Sequence, residues 1–290
     1  MRFVHSLHAG ALSADVAGVL GARLGGLISL DLPVAPGFVI GTAAWHLWRV
    51  SGPPSNLPDS VTDEVRQAHA ELGGSLLVVR ASPALAGVAS RPPVLDVGLT
   101  DDGFETLAKR TSSCYARRSF RELERPRVSR AEQLEAVLRS IIGDSGVPTA
   151  VIVQARTYAE GKPPSGHGRA FTRDPVRGTV WPTGEFRSGS SVMSLDALSS
   201  WLPAVGLQLR AALARVESLQ RNVCEVCFTL EAGRLWIDDA RPARHSRAAA
   251  DRIAQSGLRP VPAAGLESSR STAPPEPSAG RRSPSRRPAQ

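Results

Sequence analysis

Lysine, cysteine and aromatic side chains are all scarce in this chain of 290 residues. Lysine occurs only at Lys109 and Lys162 among 35 basic residues, so arginine carries the net charge of +8. Three cysteines are too few for a disulfide framework in a chain of this length, and we therefore expect a cytoplasmic protein. Hydrophobic residues reach 42% even though aromatic residues make up only 5%, which excludes disorder of the whole chain.

Long uninterrupted apolar runs are also missing. The most apolar stretch near the N-terminus covers residues 9–30, but Asp15 and Arg23 interrupt it and no charged leader precedes it. The sequence therefore predicts neither a signal peptide nor a membrane span, and we expect no membrane partner.

The basic charge is concentrated near the C-terminus. Residues 256–290 hold six arginines against Glu267 and Glu276, and Pro, Ser, Ala and Gly make up most of the rest. Such a composition cannot bury enough apolar surface to offset its ordering entropy, so it predicts a disordered tail after a folded domain at 1–255. The tail is either a solvated extension or an arm for an anionic partner. The remaining charge of the folded part is a weak argument for nucleic-acid binding.

The hydrophobic periodicity mixes helices and strands without regular alternation. It predicts helices over 12–30, 61–72 and 195–219, and a helical section over 103–142 that Pro126 breaks and Ser129 caps again. It predicts strands over 38–40, 75–80, 149–154, 168–173, 223–230 and 234–240. This order favours an α+β fold with two lobes and argues against a doubly wound sheet.

The last two predicted strands form a hairpin around Ala232-Gly233, and alternation assigns their faces. One face is apolar and belongs to the core: Val226, Phe228 and Leu230. The opposite face carries the chemistry if Cys227 pairs with Asp239: Glu225, Cys227, Thr229, Ile237, Asp239 and Arg241. Cys224 and Cys227 then point to opposite faces, which is weak evidence for a zinc or redox site.

Six segments in the same order resemble a known family. They are LPVAPGF at 32–38, VRAS at 79–82 with Gly98-Leu99, PTAVIVQ at 148–154, SGHGRAFTRDP at 165–175, GEF at 184–186, and FTLEAGRLW at 228–236 continuing to Arg241. Together they cover about 18–250 and resemble the N-terminal nucleotide-binding domain of pyruvate, phosphate dikinase. The resemblance implies an ATP-grasp-like domain, ATP and Mg²⁺ as cofactors, and a phosphotransferase activity.

The resemblance also assigns candidate site residues. It implies that Arg80 and Arg241 act on the phosphates as catalytic and nucleotide-binding residues, because a guanidinium binds phosphate through two donors. Gln154 and Glu185 occupy motif positions that line the nucleotide cleft. For Arg80 the alternative is an ion pair between the lobes. His167 stands in the glycine-flanked loop, where it either touches a nucleotide or is simply exposed.

Several positions depart from the family pattern. Leu20 stands where the family has a phosphate-binding lysine, Cys227 where it has the Mg²⁺ glutamate, and Asp239 where it has a glutamine. The nucleotide-closing loop is also altered at 86–93. Glu225 and Asp239 could replace the lost metal carboxylate from the same face, or Glu225 could form a cross-strand pair with Arg241.

Three functions remain open at this stage, and so does the question of whether the chain is an enzyme. The first is a degenerate nucleotide-binding domain with reduced or lost phosphotransferase activity and a binding or regulatory role, alone or with a separate protein. The second is an active ATP-dependent kinase that phosphorylates a separate acceptor. The third is binding of nucleic acid or another anion through the basic tail.

Overall fold

Two antiparallel sheets of five strands each form the framework of the computed structural model, which describes residues 2–50, 57–122 and 128–258. The strands of the described chain, in order, are β1 (Val4–Ser6), β2 (Gly37–Ile40), β3 (Leu77–Pro83), β4 (Val94–Val97), β5 (Thr149–Ala155), β6 (Gly166–Phe171), β7 (Thr183–Ser188), β8 (Ser191–Ser194), β9 (Cys224–Glu231) and β10 (Arg234–Pro242). The predicted α+β class is confirmed.

The helices lie around and between these sheets. Those of the described residues are α1 (Ala14–Ile28), α2 (Thr42–Val50), α3 (Asp59–Glu71), α4 (Phe104–Arg110), α5 (Ser113–Glu122), α6 (Arg130–Asp144), α7 (Leu195–Trp201), α8 (Pro203–Gln220) and α9 (Arg247–Gln255), with a short 3₁₀ turn at Asp101–Gly103. Ser129 caps α6 through a capping box with Glu132, as predicted.

The first sheet has the strand order β1-β2-β5-β3-β4, and its central strand β5 is buried on both faces. Ala150 and Ile152 point into a core shared with α1, α8 and the second sheet. Val151 and Val153 point into a second core formed with α2, α3 and α6. A continuous apolar run is what a strand between two cores requires, because neither of its faces meets water.

The second sheet has the order β10-β9-β6-β7-β8. Phe186 and Phe228 stack in parallel on its inner face, with their ring centres 6.1 Å apart. The β9–β10 hairpin turns at Ala232 and Gly233, both with positive φ, as a tight two-residue hairpin turn requires. The predicted hairpin is confirmed.

Helix α1 contacts both sheets through β5, β3 and β10. It is interrupted at Gly18, which has φ 68° and ψ 172°. At this point Ser82 of β3 donates a hydrogen bond to the Ala17 carbonyl at 2.8 Å and accepts one from the Gly21 amide at 3.1 Å. The kink lets the helix backbone approach β3 closely, which the predicted uninterrupted helix did not anticipate.

Other predictions need correction in detail. The strand predicted to end at Arg80 continues to Pro83, and the helix predicted over 195–219 is two helices separated at Leu202. His167 lies within β6 rather than in a loop, since that strand begins at Gly166. The Pro- and Ser-rich residues 51–58 predict a loop. Residues 51–56 of that loop lie outside the described residues, as do the predicted break at Pro126 and positions 259–290 of the predicted tail.

Candidate functional site

The β9–β10 hairpin contains a bulge that changes the predicted faces. Cys227 pairs with Asp239 and Glu225 with Arg241, as predicted, but the register shifts between Ile237 and Asp239. Ile237 therefore lies opposite Phe228 and is buried in the core, so its predicted place on the polar face is wrong. The extra residue, Asp238, turns to the polar face instead.

Asp238 is a half-buried aspartate that the sequence interpretation missed. Its Oδ2 accepts a hydrogen bond from the Thr229 hydroxyl at 2.7 Å. Burial raises the pKa of the Asp238 carboxyl, while the Thr229 hydrogen bond and the nearby charge of Arg80 lower it. Alternation alone assigned this position to the core, because a bulge in the strand has no reliable signal in the local pattern.

Arg80 crosses from the first sheet to the second. Its Nη1 donates to the Asp238 carbonyl at 3.1 Å, and its Nη2 donates to Oε1 of Gln154 on the neighbouring strand β5. The Gln154 side chain is fixed in turn, because its Nε2 donates to the Ala35 carbonyl at 2.9 Å. The structure thus brings the predicted residues Arg80 and Gln154 into direct contact.

The positive charge of Arg80 is incompletely compensated. Within the described residues, its buried Nε has no hydrogen-bond partner and no carboxylate lies within ion-pair distance of its guanidinium. Burial lowers the pKa of Arg80, and the charges of Asp238 and Asp239 oppose that effect. The predicted alternative of an ion pair between the lobes is thus replaced by hydrogen bonds to neutral oxygens.

Asp239, a predicted metal ligand, is held by an arginine from α1. Arg23 Nε and Nη2 each donate to one carboxylate oxygen of Asp239, both at 2.8 Å. This parallel arrangement is the strong geometry of an arginine–carboxylate pair. The sequence interpretation noted Arg23 only as an interruption of an apolar stretch and missed its role here.

Glu225, the other predicted metal ligand, contacts two arginines. Arg241 donates from Nε and Nη2 to its two oxygens, each at 3.1 Å, and Arg169 of β6 lies 3.5 Å from Oε1. The Glu225 side chain is 12% exposed, whereas those of Arg241 and Arg169 are about half exposed. The predicted alternative of a Glu225–Arg241 cross-strand pair is confirmed.

Cys227 lies between these carboxylates. Burial, together with the charges of Glu225 and Asp239, raises the pKa of its thiol to about 11, so the side chain is protonated at neutral pH. Cys224 points the other way into the core, where burial raises its thiol pKa to about 12. Both cysteines are free, and the prediction that they lie on opposite faces is confirmed.

The donor set at this site does not fit Mg²⁺. Both oxygens of Glu225 and both oxygens of Asp239 accept hydrogen bonds from arginine, and the protonated sulfur of Cys227 is a poor ligand for a hard cation. Among the described residues, no group of three or more His, Cys, Asp or Glu side chains is arranged to hold a metal ion.

A cavity of about 250 Å³ opens beside this network on the second sheet. Glu185 lines it and pairs with Arg187 at 3.0 Å, and His167 is exposed at its edge. The structure therefore places Glu185 on the same cavity as Cys227 and Asp238. The lining residues are His167, Gly168, Arg169, Glu185, Arg187, Cys227, Phe228 and Asp238. A larger cavity at the β1 edge includes none of the predicted site residues.

Fold and site together define an α+β domain with two antiparallel sheets and a partly buried arginine between them. In sequence, the chain is distantly homologous to part of pyruvate, phosphate dikinase. It is 23% identical to pyruvate, phosphate dikinase 2 of Zea mays, in an alignment that covers 83% of this chain and 38% of that protein. For the chloroplastic pyruvate, phosphate dikinase 1 of Arabidopsis thaliana the identity is 22%, covering 81% of this chain and 34% of that protein.

The chain spans about a third of the length of the curated relatives it matches. No family model matches it. In the described part of the chain, none of the helices has the length and apolar character needed to cross a membrane.

Proposed function

We propose that this chain is a dikinase-related, ATP-grasp-like nucleotide-binding domain with reduced or lost phosphotransferase activity and a binding or regulatory role. The observation that carries the proposal is the environment of Arg80. Its guanidinium lies between two sheets and is bonded to Gln154 and a backbone carbonyl, and in the described residues no carboxylate lies at ion-pair distance, so its charge is only partly compensated.

A phosphate group would supply that missing charge. Removing a cation from water is unfavourable unless an opposite charge and hydrogen bonds replace the lost hydration. Arginine suits this role because its donors match two phosphate oxygens at once. Arg169 and Arg187 add half-exposed cations at the adjacent cavity, and Arg241 lies beside Arg169 on Glu225.

The chemistry of the carboxylates supports binding rather than transfer. Phosphoryl transfer from ATP depends on cations that neutralise charge on the transferred group, usually with Mg²⁺ held by carboxylates. Here Glu225 and Asp239 are bonded to arginines and Cys227 is protonated. An active kinase that phosphorylates a separate acceptor would need at least one of these carboxylates to be released.

Calorimetric titration with ATP, with and without Mg²⁺, tests the proposal. We expect ATP to bind the unaltered chain and Arg80→Gln to weaken that binding by about tenfold or more, the ratio expected for loss of a charge-assisted contact. Arg66→Gln is the matched control, because in the described part of the chain the side chain of Arg66 makes only an exposed pair with Asp63 on α3. We expect it to bind ATP as the unaltered chain does.

Three results would contradict parts of this proposal. Absence of ATP binding at millimolar concentration would refute a nucleotide site. Equal binding by the Arg80→Gln and unaltered chains would show that Arg80 is not its cation. Magnesium-dependent release of ADP, lost in Arg80→Gln and Arg241→Gln, would instead identify an active kinase.

A further inference from the structure

Arg23, paired with Asp239, is a second cation close to Arg80. Asp239 follows Asp238, whose carbonyl accepts the hydrogen bond from Arg80, so Arg23 and Arg80 approach the same two-residue segment of β10. Asp239 also contributes to the electrostatic environment of Arg80. The two guanidinium groups therefore belong to one charged cluster between α1, β3 and β10.

The contact between Arg23 and Asp239 has the form of anion recognition. Two parallel N–H donors meet two oxygens at 2.8 Å each, which is the arrangement that a guanidinium also forms with a phosphate. The carboxylate of Asp239 can thus be replaced by two phosphate oxygens without a change in the donors that Arg23 presents.

Ligand exchange at this pair is sterically feasible. The side chain of Arg23 is 25% exposed and that of Asp239 is 17% exposed, so solvent reaches both groups. Arg23 itself is held in position, because the backbone of α1 is docked on β3 through Ser82, Ala17 and Gly21. A fixed arginine with a partly accessible carboxylate can release one anion and accept another.

We propose that Arg23 is a phosphate-binding residue of this charged cluster and that Asp239 is its internal competitor, pairing with the Arg23 guanidinium when no polyphosphate ligand is bound. This inference rests on the proposed function, since it adds a residue and an inhibitory contact to the same site. Polyphosphate binding then requires the ligand to displace Asp239, which keeps the affinity of the unaltered chain low.

A set of four chains tests this competition, with inorganic tripolyphosphate and ATP as probes in calorimetric titrations. They are the unaltered chain, Asp239→Asn, Arg23→Gln and the double variant Arg23→Gln/Asp239→Asn. We expect Asp239→Asn to bind tripolyphosphate about tenfold more tightly, since the competing charge is gone, and Arg23→Gln to bind about tenfold more weakly. The double variant should bind like Arg23→Gln.

The double variant separates two causes of tighter binding. If it gains as much affinity as Asp239→Asn, the gain comes from removing a negative charge near Arg80, and the inference about Arg23 is wrong. Because it carries two neutral polar side chains that can still bond to each other, it also keeps the contact between α1 and β10. Thermal unfolding of all four chains checks that each is folded.

Failure of this inference is distinguishable from failure of the proposed function. If Arg80→Gln weakens ATP binding while Arg23→Gln binds like the unaltered chain, the nucleotide site stands and Arg23 is not part of it. If no chain, including Asp239→Asn, binds either probe at millimolar concentration, both proposals are wrong.

Discussion

Asp238 illustrates how much a single residue decides in this site. The bulge between Ile237 and Asp239 sends Ile237 into the core and turns Asp238 towards Arg80. The unpaired residue of this bulge thus supplies the carbonyl oxygen that Arg80 contacts.

Cys227 provides a prediction at the same scale. The pKa of its thiol is raised to about 11. At about pH 8, therefore, only roughly one molecule in a thousand carries Cys227 as the reactive thiolate. We expect iodoacetamide to modify the exposed Cys114 at about pH 8 while Cys227 reacts slowly. The Cys227 rate should rise about tenfold per pH unit until the pH reaches its pKa. Peptide mass spectrometry over time measures both rates.

Unfolding the chain in guanidinium provides the control for this prediction. Burial is the main cause of the raised Cys227 pKa, so its modification rate should approach that of Cys114 when the fold is lost. Rapid modification of Cys227 in the folded chain at about pH 8 would contradict the environment described for it.

At the scale of elements, the contact of α1 with β3 positions Arg23. A Cβ atom at Gly18 would lie 1.8 Å from the Ser82 carbonyl oxygen, and its φ of 68° also favours glycine. Any other residue here must push the helix away from the strand. The same displacement would move Arg23 relative to Asp239.

Gly18→Ala is therefore expected to destabilise the chain by at least about 2 kcal/mol, because steric overlap adds to backbone strain. Denaturant unfolding measures the change in the free energy of unfolding. Gly143→Ala is the matched control: Gly143 is exposed in α6, and an added Cβ would meet no atom within 4 Å. Its free energy of unfolding should stay the same or rise slightly, since alanine favours helix. Similar losses in both variants would refute the close-packing explanation.

At the scale of the whole molecule, β10 joins the second sheet to the first half of the chain. Its Ile237 amide donates to the Pro33 carbonyl at 2.7 Å, in addition to the contacts of Arg23 and Arg80 with Asp239 and Asp238. The site thus depends on how the two sheets are joined. All of its described contacts are made by residues before position 259.

A chain ending at Leu258 tests the predicted division into a folded domain at 1–255 and a tail at 256–290. We place the end after Leu258 because it packs against a small cluster around Ile253. Thermal unfolding and ATP affinity should match those of the full chain, since the described site contacts are retained. A weaker ATP affinity in the shortened chain would show that the remaining segment contributes to the site.

The same shortened chain tests the basic segment as a binding arm. It lacks all six arginines of 256–290, so nucleic-acid binding that depends on them should be lost, and binding by the full chain should weaken steeply with salt. Unchanged nucleic-acid affinity after shortening would exclude this role.

The sequence alone determined the mixed class, most elements and the pairing within the last hairpin. Alternating apolar residues assign Val226 and Phe228 to the core, and Ala232-Gly233 marks the turn, because these signals depend on neighbours along the chain. The ordered segments also indicated Arg80 and Gln154 as site residues, which the structure brings together. Their role in binding a nucleotide remains a proposal.

Only the tertiary structure decided which charges meet between α1, the first sheet and β10. Arg23 and Asp239 are 216 residues apart in sequence. No local pattern predicts that α1, kinked at Gly18, brings the Arg23 guanidinium to the Asp239 carboxylate. The bulge at Asp238 likewise depends on how β10 packs against β9 and α1. Periodicity reports which face of an element is buried, whereas a binding site depends on the distances between elements, and those distances follow from packing of the whole fold.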